Sequence, residues 1–193
     1  DCTSKTDAIR QKARELLASK QVSCVIGYEV SLHGRTRPVF VYTPEETGRL
    51  VWNPDCTHNL TTYLPARLRL VRGKEPPKPV AVVVKPCDSK AINVMVSENL
   101  YRRDQVYALG VACEGIRGSD GNLQIRCVTC QEAVPIVYDT LISGTTSSFI
   151  PRLSSYAREE IVELQNSAPA ERLEFWLGQF DRCIRCYACR QAC

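Results

Sequence analysis

Apolar residues recur at helical spacing through Ala8, Ile9, Ala13, Leu16 and Leu17. That pattern predicts an opening helix, capped by Ser4 or Thr6 and ending near Ser19. The period then shortens. Val22 to Val30 and Arg37 to Tyr42 are β-branched apolar runs, and His33-Gly34-Arg35 between them reads as a hairpin turn. Thr57 to Leu64 suits a short helix, and Arg72 to Pro79, with Gly73, Pro76, Pro77 and Pro79, suits an extended surface connection.

The middle of the chain alternates strand and helix. Val80 to Val84 is wholly apolar, as expected of a strand covered on both faces. Asp88 or Ser89 can cap a helix from about Lys90 to Asn99. Val106 to Ala112 is a second apolar strand ending at Cys113. This strand–helix–strand unit predicts a small parallel or mixed sheet. Gly115 to Asn122 is a Gly-rich loop, and Ser and Thr dominate from Asp139 to about Ser155. Two helices follow, the second from Pro169 to Phe180. The expected organisation is an α/β domain over residues 1–150, then a helical linker and cysteine segment over residues 151–193.

Composition changes this picture in one respect. With 44% hydrophobic and 24% charged residues, the 193-residue chain has the balance of an ordinary folded protein. Its formal charge of +4 is spread along the chain with no aromatic-interleaved basic stripe, so no nucleic-acid partner is expected. No apolar run approaches the roughly 20 residues that span a bilayer, and neither direct membrane insertion nor a secretory leader is expected. Cysteine is the abnormal count, at 11. In a chain with enough apolar residues for its own core, metal ligation is the better reading than disulfides.

Cys183, Cys186, Cys189 and Cys193 follow the spacing C-x2-C-x2-C-x3-C. Two-residue gaps let one loop wrap several irons of a cubane cluster, while the fourth thiolate leaves along the chain that follows. Zinc sites use C-x2-C pairs separated by a longer spacer, which these short gaps fit poorly. The run resembles the bacterial ferredoxin motif, whose fourth Cys ligates the other cluster of a pair. That pattern continues with Pro and a second cysteine set, so the chain is expected to be a piece of a longer protein, ending at the start of a ferredoxin-like 4Fe–4S module. The fourth ligand beside Cys183, Cys186 and Cys189 is then open.

Cys87, Cys113, Cys127 and Cys130 form a second candidate group. Cys87 and Cys113 each follow the C-terminal end of an apolar strand, where open α/β sheets bind ligands. Cys127 and Cys130 supply a C-x2-C pair from the next loop. Four thiolates at one sheet edge suit a 4Fe–4S cluster, and zinc would use the same four. Cys24 sits in a strand and reads as core packing; Cys2 and Cys56 have no partner spacing.

Lys85-Pro86-Cys87-Asp88-Ser89-Lys90-Ala91-Ile92 and Gly110-Val111-Ala112-Cys113-Glu114-Gly115-Ile116 resemble paired motifs of a group of iron–sulfur subunits. These are the beta subunits of deazaflavin-reducing hydrogenases and formate dehydrogenases, with the related sulfhydrogenase beta and anaerobic sulfite reductase A subunits. The resemblance covers residues 79–193. It implies an electron-transfer subunit of a redox complex, with two or more 4Fe–4S clusters, passing electrons between a partner's active site and a flavin or deazaflavin carrier. Several members bind FAD, although this chain has no G-x-G-x-x-G fingerprint. Substrate chemistry would belong to a partner subunit, and oxygen-sensitive clusters would suit the cytoplasm of an anaerobe.

Other features take plainer readings. Gly115 to Gly121 lacks the Lys followed by Ser or Thr that marks a phosphate-binding P-loop. His33 and His58 have no carboxylate placed for a triad. Asp88 and Glu114, each one residue after a candidate ligand, either cap and brace the fold or tune a cluster. Arg182, Arg185 and Arg190 either offset cluster charge or face an acidic partner. Phe175, Trp176 and Phe180 are expected in a core. Two other classes remain open: a zinc-stabilised scaffold protein and a flavin-containing reductase subunit.

Overall fold

The computed structural model describes residues 2–68, 77–118, 121–128, 130, 132–142 and 156–187. The chain divides into two compact units, Asp1–Arg152 and Leu153–Cys193. The first unit is built on a five-stranded mixed sheet with flanking helices, so the α/β expectation is met. Helix α1 (Cys2–Ala18) buries Ile9, Ala13, Leu16 and Leu17, the stripe that its periodicity predicts. It starts before Ser4 and Thr6, so neither caps it. Thr6 instead lies in the second turn, where its hydroxyl accepts a 2.9 Å hydrogen bond from the Trp52 N–H.

Strands β1 (Cys24–Val30) and β2 (Thr36–Val41) pair antiparallel through the expected turn. The segment Thr57 to Leu64 forms a 3-10 turn, Leu60–Tyr63, continuing into α2 (Leu64–Leu68). Residues 69–76, and with them most of the expected extended connection, lie outside the described residues. Strand β3 (Val80–Val84) follows, buried at all five positions. Apolar positions on both faces are what an interior parallel strand requires. Helix α3 (Pro86–Ser97) then leads to β4 (Val106–Val111). After the short helix α4 (Ile125–Val128), β5 (Thr140–Ile142) closes the sheet in the order β2-β1-β3-β4-β5. All pairings but β1–β2 are parallel.

Two differences from the sequence expectation bear on the site. Helix α3 begins at Pro86, four residues before the expected start, because Pro fits the first helical position, where its missing N–H is no loss. Cys87 and Asp88 therefore lie in its first turn, Lys85 holds the cap position, and neither Asp88 nor Ser89 caps it. Strand β5 is too short to show a period, since Leu141 and Ile142 are its only strongly apolar positions.

In the second unit, α5 (Tyr156–Asn166) and α6 (Pro169–Phe180) are the expected helices. Phe175, Trp176 and Phe180 are exposed, with the first two stacked edge-on at 5.2 Å, so the described residues form no core around them.

Candidate metal centre

Parallel strands ending side by side deliver their next residues to one edge. Val84 of β3 pairs with Gly110 of β4, so the chain leaves both strands at the same level. From β3 it runs through Lys85 and Pro86 to Cys87; from β4 it runs through Ala112 to Cys113. The Cys113 N–H donates to the Ala133 carbonyl at 2.9 Å, which ties that turn to the segment following Cys127 and Cys130. Ser89, fully buried in α3, holds the same segment by accepting from the Ile136 N–H at 3.1 Å.

The outcome is one cavity of about 80 Å³ lined by Cys87, Cys113, Cys127 and Cys130, with Lys85 and Ile116 among its walls. All four cysteines of the second sequence group are thus brought together. Two backbone donors face their sulfurs: Gly115 N–H to Cys113 Sγ and Ile116 N–H to Cys127 Sγ, each at 3.4 Å. Gly115 has φ +103°, a conformation open to glycine, and this turns consecutive N–H groups toward the cavity. Cys130 Sγ donates a long 3.6 Å bond to the Glu132 carbonyl. Lys90 on α3 pairs with Glu132 at 2.7 Å, an exposed contact worth little energy by itself.

The thiols of Cys87 and Cys113 are both pushed up. Cys87, although exposed as a residue, rises to about 11, first through desolvation of its thiol and then through the neighbouring Asp88 carboxylate. Desolvation also raises Cys113, against the Gly115 N–H that favours its thiolate. Burial thus favours the uncharged form of both thiols, and a metal binding there would displace protons.

Beneath the cavity lies a buried polar group. Lys85 Nζ stands 2.6 Å from Asp88 Oδ2 and donates to the Tyr28 hydroxyl and, at 2.7 Å, to the His58 carbonyl. Burial, first of all, raises the Asp88 carboxyl, and the Lys85 ammonium opposes that rise. Lys85 opens the Lys85–Ile92 motif, which assigns it no role of its own. The signal for burial is a charged residue placed directly after the five apolar residues of β3.

A second cavity of about 160 Å³, lined by Lys5, Trp52, Asn53 and Arg117, shares Cys113, Gly115 and Ile116 with the first. Lys5, nearly buried, donates to the Ala112 carbonyl at 3.0 Å and pairs with Glu114 at 3.1 Å.

The remaining candidates are placed separately. Cys183 and Cys186 are exposed, and Arg185 and Tyr187 between and beyond them adopt left-handed φ of 55° and 60°. The chain there turns as a loop rather than continuing α6. Cys189 and Cys193 lie outside the described residues. Cys24 and Cys56 are buried in the core, where desolvation drives Cys56 to about 12. His33 is exposed, and His58 contributes its carbonyl to Lys85. Among the described residues, no three or more His, Cys, Asp or Glu side chains are arranged to hold a single metal ion. No helix among them is long and apolar enough to cross a membrane. No protein-family model matches this chain, and neither does any curated protein.

Proposed function

We propose that the chain is an iron–sulfur electron-transfer subunit of a multi-subunit oxidoreductase of the hydrogenase, formate dehydrogenase or heterodisulfide-reductase kind. The observation that carries this reading is the convergence of Cys87, Cys113, Cys127 and Cys130, from three separate segments, on one cavity. The donor set fits a 4Fe–4S cluster, which takes four thiolates and supplies one-electron chemistry when bound. Cys87 and Cys113 would hold it from the sheet edge, and Cys127 and Cys130 from α4 and the loop after it. The N–H groups of Gly115 and Ile116, already directed at two of the sulfurs, would orient the ligands and stabilise their negative charge. The terminal run of Cys183, Cys186, Cys189 and Cys193 would hold a second cluster, with the left-handed turns at Arg185 and Tyr187 bending the loop around it.

Two centres in one chain suit relay rather than substrate chemistry. Electrons would pass between a partner subunit's active site and a carrier such as a flavin or deazaflavin, in the cytoplasm.

The test is iron, sulfide and zinc analysis with visible spectroscopy on anaerobically purified protein. About eight irons per chain are expected, in a brown protein that bleaches on reduction. Cys113→Ser removes about half of that iron, whereas Cys24→Ala, in the core, leaves it in place. A colourless protein carrying zinc overturns the reading.

A further inference from the structure

We propose that Lys85 is the buried charge that sets the reduction potential of the four-cysteine centre, held in that role by Asp88, Tyr28 and the His58 carbonyl. The inference rests on the electron-transfer reading and goes beyond it by naming a residue that tunes the centre without ligating it.

Lysine is almost never fully buried without a partner, because an ammonium loses its hydration there. Lys85 is 1% exposed and lines the cavity. The fold compensates it with three oxygens: Asp88 Oδ2 at 2.6 Å, the His58 carbonyl at 2.7 Å and the Tyr28 hydroxyl. The Tyr28 ring adds its face, with Nζ 5.0 Å from the centroid. These groups come from β1, from the chain before α2 and from the first turn of α3, so the cation is fixed from three directions.

The charge acts on the ligands. Lys85 lines the cavity together with all four cysteines and stands two residues before Cys87, which places its charge beside the ligands. Asp88, whose Oδ1 lies 3.6 Å from Cys87 Sγ, brings a carboxylate of opposite sign to the same ligand. A centre that gains one electron gains one unit of negative charge. A fixed cation beside it favours the reduced state and raises the potential, while a fixed anion lowers it. The low-dielectric surroundings strengthen both effects. Arg126, the other cation lining the cavity, is exposed and screened by solvent.

The test is an EPR-monitored redox titration of the full chain, with Cys183→Ala and Cys186→Ala introduced so that only this centre reports. Lys85→Met should lower the midpoint by at least tenfold in the reduction equilibrium, about 59 mV for a one-electron couple. Asp88→Asn should raise it. Opposite shifts are the electrostatic signature, since a merely structural role gives no reason for the two variants to move in opposite directions. Unmoved midpoints, or a rise on Lys85→Met, overturn the proposal. Where Lys85→Met fails to fold or to take up a cluster, Asp88→Asn decides: an upward shift supports the proposal and any other result overturns it. A parent protein that takes up no cluster sinks the electron-transfer reading and this inference with it, whereas a loaded centre with unmoved midpoints sinks this inference alone.

Discussion

Gly110→Ala tests how the sheet edge is assembled. Gly110 lies in β4, where the segment that follows Cys130 crosses over the strand. A Cβ built at Gly110 falls 2.8 Å from Tyr138 Cβ, 3.2 Å from Pro135 Cγ and 3.3 Å from Tyr138 Cγ. Carbon atoms pack comfortably at about 3.5–4.0 Å, so the methyl overlaps Tyr138 by several tenths of an ångström. Neither neighbour can yield cheaply. Tyr138 Cβ is one bond from the backbone, and Pro135 is a ring. The crossing segment must move, yet it is latched at its far end: Asp139 Oδ2 accepts from the Ala108 N–H at 2.7 Å and from Arg103 at 2.9 Å. Overpacking of this kind costs about 1–3 kcal/mol, against about 0.4–1 kcal/mol returned by the stiffer unfolded chain of an Ala variant. The difference runs up to about 2.6 kcal/mol and centres on about 1 kcal/mol, which is about 2–4 °C in Tm for a unit of this size.

The shift should also reach Cys130, five residues before Pro135, so the variant should load less iron into the four-cysteine centre than the parent. Calorimetry with iron analysis reads both effects. The double variant Gly110→Ala/Tyr138→Gly removes the clashing Tyr138 atoms and should recover part of the loading. An unchanged Tm with full loading would refute the packing argument.

Two further outcomes follow from the fold. Burial raises the Glu29 carboxyl, but hydrogen bonds from Arg49 and Arg37 outweigh it and hold the group below the usual carboxylate range. A depressed folded pKa gives stability that is present above the unfolded value of about 4.3 and is lost as pH falls through the folded value. Glu29→Gln should therefore lower Tm at pH 7 and converge with the parent in acid; a constant gap across that range would contradict the pairing. Ile92 is fully buried in α3, so Ile92→Ala should cost about 2–5 kcal/mol in urea unfolding, and a cost within error of zero would mean that α3 does not pack on the sheet as described.

Much of the fold was legible in the residues. Val80–Val84 and Val106–Val111 are apolar without alternation, which only strands covered on both faces require. The helical stripe of α1 and the hairpin turn were equally plain. The cysteine grouping was legible too, because strand ends and C-x2-C spacing are local features that a parallel sheet converts into proximity. Other features were not, and for physical reasons. Strand β5 is three residues long, below the length at which any period shows. The start of α3 depended on a Pro that serves equally as a break or as a first helical residue.

By itself, the sequence determined most of the buried strands and helices and which thiols are candidates for a shared centre, since both follow from side-chain chemistry at fixed spacing. Tertiary structure alone decided that β3 and β4 are neighbours in matching register, and so that Cys87 and Cys113 open onto one cavity. It also decided the partners of Lys85. A lysine after an apolar strand reads equally as a solvated end or a buried charge, and the difference lies in Tyr28, 57 residues away, and the His58 carbonyl, 27 residues away, which the fold brings to it.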